Sequence, residues 1–236
     1  MLGREIAKGL HDFDAKVYIA DKNKEAAAEL MNDKGISFIY LDITEEKSIK
    51  KAVDKIIQAD GHIDVMVNSA YPKTKDWGGR LENIPFESWT ENLNAHLGGY
   101  FLSCRIVAEQ MKLQGDGSII NMASIYGSVG PDFSIYEGSD MTMPAAYSAI
   151  KGGIISLTKY LATYYAKNNV RVNSISPGGI YDKQPNAFVE KYSLKTPLGR
   201  MADPEEIVGG VIYLASDASS YVTGHNLMID GGWTAW

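Results

Sequence analysis

Short apolar segments alternate with helical patterns along the whole chain, and this alternation restricts the possible folds more than any other feature. Most of the apolar segments carry apolar residues on both faces, as strands buried in a parallel sheet do. The predicted strands span residues 16–20, 36–41, 63–67, 118–122, 170–175 and 226–229. Strand–helix alternation over 236 residues predicts one α/β domain with a doubly wound parallel sheet. In such a sheet ligands bind at the carboxyl ends of the strands, so the residues that follow each strand are candidate site residues.

Two helix starts stand out between the predicted strands. One apolar stripe with helical spacing is formed by Ile49, Ala52, Val53, Ile56 and Ile57. Thr44 is the predicted cap of that helix. Asp203 is the predicted cap of a later helix, with a proline at the first helical position and Glu206 at the third.

Composition and charge exclude several classes of function. The chain has 23 Lys+Arg against 29 Asp+Glu, a net charge of −6, whereas a nucleic-acid partner requires clustered cations. Cys104 is the single cysteine, which excludes an internal disulfide and a multi-cysteine metal site, and the histidines lack zinc-ligand spacing. No apolar run approaches the ~20 residues that span a bilayer, and the first residues do not form a signal peptide. We therefore expect a cytoplasmic protein without a metal, a membrane or a nucleic acid as partner.

The strongest chemical motif is Tyr147-x-x-x-Lys151. Positions i and i+4 of a helix share one face, so the ammonium would lie beside the phenol and lower its pKa from about 10 toward the range useful for acid–base catalysis. Packing alone is the alternative interpretation, as it is for Tyr160 and Tyr164 further along. Ser124 follows a predicted strand, where its hydroxyl can bind a substrate oxygen, and a turn serine is the alternative.

Two carboxylates follow the first two predicted strands. Asp21 can bond the ribose hydroxyls of a dinucleotide and would repel the 2′-phosphate of NADP, so NAD is the favoured cofactor. Asp42 follows the next strand and can contact the adenine. Each aspartate has an alternative role as a helix cap.

Together these residues resemble the single-domain branch of the short-chain dehydrogenase/reductase family over essentially the whole chain. Ser124, Tyr147 and Lys151 match the catalytic serine, tyrosine and lysine of that family. Further matching segments, in chain order, are Asn68-Ser69-Ala70-Tyr71, Pro177-Gly178 with Ile180, Pro197-Leu198-Gly199-Arg200, Leu214-Ala215-Ser216-Asp217, Thr223-Gly224 and Asp230-Gly231-Gly232. The resemblance implies a Rossmann-type fold.

The resemblance also implies a mechanism and a set of cofactor contacts. Tyr147 would exchange a proton with the substrate oxygen, and Ser124 would orient that oxygen. Lys151 would lower the tyrosine pKa and hold the nicotinamide ribose, while hydride passes between the substrate carbon and the nicotinamide. The implied cofactor-binding residues are Gly3, Asp21, Asp42, Ile43, Asn68, Ala70, Tyr147, Lys151, Pro177, Gly178 and Ile180. Their ligand would be NAD rather than NADP.

Three positions depart from the family pattern. His96 occupies the position of the family's fourth catalytic residue, an asparagine. It would either hold a water and relay a proton or be a packed core histidine. Tyr71 replaces a glycine that lets the backbone approach the cofactor, and Asp182 stands where a cofactor-contacting threonine is common.

The segment between Ser124 and Tyr147 is longer than the family pattern requires and is rich in polar and aromatic residues. Together with other such residues it predicts a pocket for a hydroxyl-rich substrate, and a solvated loop is the alternative. The predicted lining comprises Lys73, Lys75, Trp77, Asp132, Phe133, Tyr136, Glu137, Asp140, Tyr181 and Trp233. Residues 70–79 and 127–144 are similar to family members from flagellin- and surface-sugar modification pathways.

The start of the chain differs most from the family pattern. Gly3 matches the last glycine of the pyrophosphate-binding turn and residues 4–10 match the helix after it, without the first strand and the earlier glycines. That strand belongs in the middle of the sheet, so its neighbours would have unpaired backbone groups. We expect a misassigned start codon or a truncated chain, with weak dinucleotide binding as the result.

Three functions compete on this sequence. The leading prediction is an NAD(H)-dependent oxidoreductase that interconverts an alcohol and a carbonyl on a small polar, sugar-like substrate. The alternatives are a cofactor-impaired family member acting as a binding or assembly subunit, and an NAD-dependent sugar dehydratase or epimerase. By resemblance, helices at 88–113 and 145–166 would pair across a two-fold axis near Gly152 and Gly153, with Trp236 in a second interface, giving a homodimer or homotetramer.

Overall fold

The computed structural model describes residues 2–28, 30–32 and 36–236. The strands are β1 (Val17–Asp21), β2 (Ile36–Tyr40), β3 (Val65–Asn68), β4 (Gly117–Met122), β5 (Val170–Pro177) and β6 (Asn226–Ile229). The α-helices are α1 (Leu2–Asp12), α2 (Lys24–Ala27), α3 (Glu46–Asp60), α4 (Phe86–Asn92), α5 (Gly99–Gln114), α6 (Ala145–Tyr165), α7 (Asn186–Lys195) and α8 (Val208–Ala215). A π-helical turn spans Leu93–Gly98, and 3₁₀ turns span Leu30–Asn32, Leu81–Asn83, Ile125–Gly127, Phe133–Tyr136, Ala166–Asn168, Pro204–Ile207, Asp217–Ser219 and Trp233–Ala235. Each predicted strand is present close to its predicted bounds.

All strand pairs are parallel, which confirms the predicted α/β class. β1 pairs with β2, and Val17 lies opposite Ile36. β3, β4, β5 and β6 form a second sheet in that order. Within the described residues no strand joins β1 to β3, so the sheet is interrupted at the position that the sequence predicted.

The interruption between β1 and β3 is a cavity with apolar walls. Val17 and Ile19 line it from β1, and Val65 and Val67 line it from β3. Side chains of α1 and α3 cover its two faces. The cavity has a volume of about 1750 Å³ and continues to the carboxyl ends of β3, β4 and β5. The sheet interruption and the strand ends therefore share one continuous space.

The packing of β4 shows how the second sheet is held between two helical layers. Its residues point alternately to the two faces of the sheet. Ile119 packs with side chains of α3, α5 and α6, whereas Ile120 packs with side chains of α1 and α8. Both isoleucines are fully buried. Burial on both faces explains why the strand segments of this chain are nearly continuous apolar runs.

Of the two predicted helix caps, the one at Asp203 is present and the one at Thr44 is not. α3 is preceded by Glu45, whose side chain makes no capping bond, so the prediction of Thr44 as the cap is wrong. The Thr44 backbone N–H and its hydroxyl both donate to the Asp42 carboxylate instead, so the hydroxyl is not available to cap α3. Asp203 does begin a helical turn, and its backbone N–H donates to Glu206 at 2.9 Å, but the turn is 3₁₀ before it continues into α8.

The two long predicted helices are both present. The one predicted at 88–113 consists of α4 and α5 joined by the π-helical turn, and the one predicted at 145–166 is α6. In the part of the chain that the structure describes, no helix combines the length and the apolar character needed to cross a bilayer.

Candidate active site

The three predicted catalytic side chains meet where β4 ends against α6. Ser124 lies two residues after the end of β4, and Tyr147 and Lys151 lie on the first turns of α6. Lys151 Nζ donates to the Met122 carbonyl at 2.7 Å and lies 5.5 Å from the centroid of the Tyr147 ring. The Ser124 hydroxyl is within hydrogen-bonding reach of the Tyr147 phenol. A hydroxyl, a phenol and an amine are therefore assembled at one point of the cavity wall.

The turn after Ser124 packs against α6 so closely that one of its positions requires glycine. A Cβ atom on Gly127 would lie 2.6 Å from the carbonyl carbon of Lys151. The Tyr126 backbone N–H donates to Ser124 Oγ at 3.2 Å, which orients the serine hydroxyl. The close packing of this turn sets the distance between Ser124 and the helix that carries Tyr147.

Burial dominates the electrostatics of these groups. It raises the pKa of Tyr147, and the hydrogen bond with Ser124 offsets part of that rise. Burial also lowers the pKa of Lys151 to about 7. The Tyr147 pKa is therefore raised overall, and a lowering contribution from Lys151 stays a prediction. The free-energy cost of removing a phenolate from water exceeds the stabilisation provided by a lysine that is about half-protonated at neutral pH.

His96 lies fully buried in the π-helical turn between α4 and α5. Neither of its ring nitrogens has a hydrogen-bond partner among the described residues. Burial, assisted by the charge of Lys151, lowers the pKa of His96 to about 3, so the ring is neutral. The ring packs against Tyr71 and Tyr100 with centroid separations of 5.3 and 5.2 Å. The structure therefore brings His96 close to Lys151 but not onto the cavity wall.

Tyr71 and Trp77 form an aromatic wall next to Tyr147. Their ring centroids lie 6.0 and 6.3 Å from that of Tyr147, both in edge-on arrangements. Trp77 Nε1 donates to the Tyr71 hydroxyl at 3.0 Å. Lys151 Nζ lies 5.9 Å from the Tyr71 centroid, within the range of a cation–π contact. The side chain that replaces the family's glycine therefore encloses the amine and the phenol.

A buried polar network behind the site was not predicted from the sequence. Asn68 Nδ2 donates to Asn121 Oδ1 at 2.9 Å, and Asn121 Nδ2 donates to Thr158 Oγ1 at 3.0 Å. The Ser103 hydroxyl donates to Asn68 Oδ1 at 3.0 Å. The network joins β3, β4, α5 and α6, so the Asn68 amide is occupied in holding these elements together. The available signal was the presence of asparagines within two otherwise apolar strands.

The predicted cofactor-binding residues lie along one surface, with one exception. The cavity is lined from the end of β1 to the end of β5 by Gly3, Asp21, Ile43, Asn68, Ala70, Tyr147, Lys151, Pro177, Gly178 and Ile180. Asp182, noted from the sequence as a departure from the family, lines it as well. Asp42 does not line the cavity.

The two aspartates have different surroundings. Asp21 ends β1, lines the cavity and accepts a hydrogen bond from the Asn23 backbone at 2.8 Å, which is the local turn bond expected of a cap. Burial alone would raise the pKa of Asp42, but hydrogen bonds from Thr44 and the Lys22 ammonium at 3.2 Å lower it overall. These local partners hold the Asp42 carboxylate off the cavity wall, and its predicted adenine contact stays a prediction.

α1 begins beside the carboxyl end of β3. A Cβ atom on Gly3 would lie 2.8 Å from Ser69 Oγ, so a larger residue would require the Ser69 side chain to shift. The first turn of a helix presents backbone N–H groups that suit phosphate oxygens. This end of the cavity fits the pyrophosphate of a dinucleotide, and the end that contains Tyr147 and Lys151 fits its nicotinamide ribose.

The segment between Ser124 and Tyr147 is packed in part and exposed in part. Ile135 and Tyr136 are buried in a cluster with Phe188 and Tyr192 of α7. Of the predicted pocket residues, the structure places Lys73, Trp77, Tyr136 and Asp140 on the cavity wall. The prediction is wrong for the others, which do not line the cavity: Lys75, Asp132, Phe133, Glu137, Tyr181 and Trp233.

Several aromatic residues on the cavity wall were missed by the sequence reasoning, Tyr18 and Tyr100 among them. Tyr126, Phe188 and Tyr192 all line the cavity. Tyr126 lies two residues after Ser124 at a strand end, which is a local signal that would have found it. Phe188 and Tyr192 lie on α7, and only the packing of α7 across the strand ends brings them to the site.

Comparison with known proteins identifies the family. A sequence profile for the family described as Enoyl-(Acyl carrier protein) reductase matches residues 2–234. The chain belongs to the short-chain dehydrogenase/reductase family. Its members are oxidoreductases, and the resemblance predicted from the motifs is confirmed.

Relatives within the short-chain dehydrogenase/reductase family cover nearly the whole chain. Post-translational flagellin modification protein A of Campylobacter coli is 37% identical over 239 residues, with 98% of this chain and 93% of the relative covered. A short-chain dehydrogenase from Leptospira borgpetersenii, solved with bound NAD⁺, is 36% identical with a TM-score of 0.89, covering 99% of this chain and 88% of that one. A gluconate 5-dehydrogenase from Burkholderia cenocepacia, solved with NADP and tartrate, is 29% identical with a TM-score of 0.88, covering 100% and 92%. The fold therefore accommodates either dinucleotide.

Proposed function

We propose that this protein is an NAD(H)-dependent dehydrogenase/reductase that interconverts an alcohol and a carbonyl group on a small, polar, sugar-like substrate. The observation that carries the proposal is the meeting of Ser124, Tyr147 and Lys151 in a cavity that also contains Asp21. The first three groups suit proton transfer at a substrate oxygen. The carboxylate suits the ribose hydroxyls of a dinucleotide.

Each side chain has one task in the proposed reaction. In the reducing direction the Tyr147 phenol donates its proton to the substrate oxygen, which the Ser124 hydroxyl holds by a hydrogen bond. Burial raises the Tyr147 pKa and so keeps the phenol protonated until the substrate oxygen gains negative charge. The Lys151 ammonium then stabilises the phenolate that remains. Bound NAD(H) supplies or accepts the hydride. In the oxidising direction the same side chains act in reverse.

The proposed preference for NAD over NADP depends on Asp21. Its carboxylate lies at the end of β1 on the cavity wall. It can accept hydrogen bonds from the ribose hydroxyls, whereas it would repel a 2′-phosphate. The other proposed cofactor contacts line the same cavity: Gly3, Ile43, Asn68, Ala70, Pro177, Gly178 and Ile180.

A small polar substrate is supported by the residues around Tyr147. Tyr71, Trp77 and Tyr136 supply aromatic surface, and Lys73 and Asp140 supply charge. Aromatic faces with a few polar groups suit a ring that carries hydroxyls better than a long acyl chain. The flagellin-modification function in the name of the Campylobacter coli relative supports a sugar-like substrate in the same way.

The decisive variant is Tyr147→Phe. It should lower turnover by about 10²- to 10⁴-fold, because the proton donor is removed while the ring and its packing remain. Fluorescence titration with NADH should give the same affinity as the wild type within about threefold, because the Tyr147 ring and the other proposed cofactor contacts remain. Tyr221→Phe is the matched control, because Tyr221 is fully exposed and far from the cavity wall. Undiminished turnover in Tyr147→Phe would contradict the proposed role.

The same measurements separate the alternative functions. A cofactor-impaired binding subunit would bind neither NADH nor NADPH, and the interruption of the sheet between β1 and β3 favours this alternative. A dehydratase or epimerase would retain bound NAD and would turn over substrate without net formation or loss of NADH. Stoichiometric NADH formation from an alcohol would exclude both.

We propose that His96 is a positioning residue for Lys151. It is neutral, buried and close to the lysine, and its ring nitrogens have no partner within the described residues. His96→Asn restores the amide of the family pattern. If His96 positions Lys151, the variant should move the Lys151-dependent limb of the pH–kcat profile by about half a pH unit or more, with KM nearly unchanged. A histidine that only packs would change thermal stability and leave the profile in place.

We infer a homo-oligomer that pairs α5 and α6. Phe101 of α5 is 43% exposed, and Tyr160 and Tyr164 of α6 are 63% and 60% exposed. Large exposed aromatic side chains on adjoining helices are typical of protein interfaces. Light scattering should give two or four times the chain mass of 25.9 kDa. A monomer at micromolar concentration would contradict this inference.

A further inference from the structure

Two tyrosines between Ser124 and Tyr147 line the cavity without a task in the proposed reaction. Tyr126 lies in the 3₁₀ turn that follows Ser124, and Tyr136 ends the 3₁₀ turn Phe133–Tyr136. Each is only 7% exposed. Their phenols interact with each other, and Tyr136 also interacts electrostatically with Tyr147. This tyrosine pair, Tyr126 and Tyr136, therefore lies near the reacting groups.

The wall that carries Tyr136 is fastened to α7 by charged groups. Asp132 caps the 3₁₀ turn and forms an ion pair with Lys195. Lys191 donates to the Glu137 carbonyl at 2.7 Å. Lys191 and Lys195 of α7 are therefore both bound to the segment that carries the tyrosine pair. The arrangement holds Tyr136 in place, and the Asp132 carboxylate is balanced by the Lys195 ammonium.

The Tyr126 hydroxyl has an unusual environment. It is buried, and among the described residues it has no hydrogen-bond partner of good geometry. Burial, followed by the neighbouring Tyr136 phenol, raises the Tyr126 pKa, so the group is protonated and able to donate. A buried donor without a partner destabilises the protein until a polar group reaches it. The backbone of Tyr126 is at the same time fixed to Ser124 Oγ at 3.2 Å, so the position of the phenol is tied to the reaction site.

We propose that the tyrosine pair binds a second, uncharged hydroxyl group of the substrate, separate from the oxygen that reacts, and thereby selects neutral polyols and hydroxyketones. This rests on the proposed oxidoreductase function and specifies its substrate class. Lys191 and Lys195 are already engaged by this segment, and Asp140 lies on the cavity wall, so a carboxylate or phosphate at this position would lack a cation and face a like charge. A neutral hydroxyl can both accept from and donate to a phenol without that repulsion.

The surroundings of the tyrosine pair allow a ligand to reach it. Met141 and Met143 pack against the cluster that contains Tyr136, and both line the cavity. Methionine side chains are unbranched and repack easily around a bound group. Met141 and Met143 can therefore adjust around a group that binds beside Tyr136.

The test compares a diol with the matching monoalcohol. Isothermal titration, with and without NAD⁺, measures the dissociation constants of cyclohexane-1,4-diol and cyclohexanol for the wild type, Tyr126→Phe, Tyr136→Phe and the exposed control Tyr221→Phe. We expect the wild type and the control to bind the diol at least about tenfold more tightly than cyclohexanol, as sites built to bond a hydroxyl do. Tyr126→Phe should reduce this preference to about threefold or less and change the affinity for cyclohexanol little, because only the bond to the second hydroxyl is lost.

The possible outcomes separate this inference from the proposed function. Equal binding of the two alcohols by the wild type overturns the inference, and so does an unchanged preference in both phenylalanine variants. Tighter binding of 4-hydroxycyclohexanecarboxylate than of the diol also overturns it. Tyr136→Phe provides the measurement if Tyr126→Phe does not fold. If the protein binds the diol preferentially but forms no NADH, the proposed oxidoreductase function is wrong and the inference about the tyrosine pair still holds.

Discussion

The β3–β6 sheet and the β1–β2 pair are packed differently. The catalytic end of the candidate site lies on the β3–β6 sheet, and the end that contains Asp21 lies on the β1–β2 pair. In the larger sheet, buried polar groups have partners: Asn121 of β4 bonds to Asn68 of β3 and to Thr158 of α6. In the smaller sheet, Val17 and Ile19 of β1 are only half-buried and face the cavity. The groups proposed for proton transfer lie at the end of the β3–β6 sheet and on α6, whereas Asp21 lies on the β1–β2 pair.

This difference indicates which properties of the site depend on tight packing. Satisfied polar networks and close-packed apolar layers hold side chains in one arrangement, and the Ser124, Tyr147 and Lys151 constellation has both behind it. A two-stranded sheet is marginal on its own and relies on what covers it. We expect the chemistry to be robust to changes in β1, and cofactor affinity and choice to be sensitive to them.

Matched truncations give the largest expected difference between the two regions. Ile120→Ala in β4 removes a fully buried side chain, so it should lower the free energy of unfolding by about 2–5 kcal/mol. Ile19→Ala in β1 removes a half-buried side chain that borders a cavity, so its cost should be under about 1.5 kcal/mol. Urea unfolding followed by tryptophan fluorescence measures both. Equal losses would show that the two sheets are equally well packed.

A pH profile tests whether burial of the catalytic end controls its chemistry. Because the Lys151 pKa is lowered to about 7, the ammonium is present below that pH and is lost above it. Steady-state carbonyl reduction should therefore slow as pH rises, with kcat/KM falling up to about tenfold per pH unit above 7. Lys151→Arg keeps a charged group throughout this range, so its residual activity should lack that limb. A wild-type profile that is flat between pH 6 and 9 would contradict the buried-amine description.

The choice between NADH and NADPH gives the smallest expected effect, and it tests the β1–β2 pair. Asp21→Asn removes the charge proposed to repel a 2′-phosphate, so the ratio of NADPH to NADH dissociation constants should fall about tenfold. Asp42→Asn is the matched control, because Asp42 does not line the cavity, and its ratio should change less than about twofold. Competitive fluorescence titration measures both ratios. If the two variants behave alike, the distinction drawn between the aspartates is wrong.

Much of the fold and the catalytic end of the site could be predicted because the signals are local. Tyr147 and Lys151 share a helix face by spacing alone, and Ser124 is recognisable at the end of a strand that is buried on both faces. Asp42 could not be assigned in the same way. Thr44 and Lys22 compete for its carboxylate, and a competition between neighbours depends on distances that appear only after the chain has folded.

The lining of the cavity was less predictable for the same reason. Asp132 looked like a pocket residue from its position before Tyr147, yet in the structure it caps a turn and pairs with Lys195 of α7. Phe188 and Tyr192 carry no motif and reach the site through the packing of α7. Residues distant in sequence enter a pocket by tertiary packing, which periodicity does not report.

The sequence by itself determined the order of strands and helices, the parallel sheet and the catalytic motif, because each follows from apolar periodicity or from spacing within one element. The interruption of the sheet was implied by the departure from the family pattern. Only the tertiary structure decided the charge states and the uses of these groups. The pKa of Lys151 near 7, the neutral His96 and the unpaired Tyr126 hydroxyl all follow from burial. Burial is a property of the assembled layers, since it depends on how completely neighbouring elements exclude water from a group.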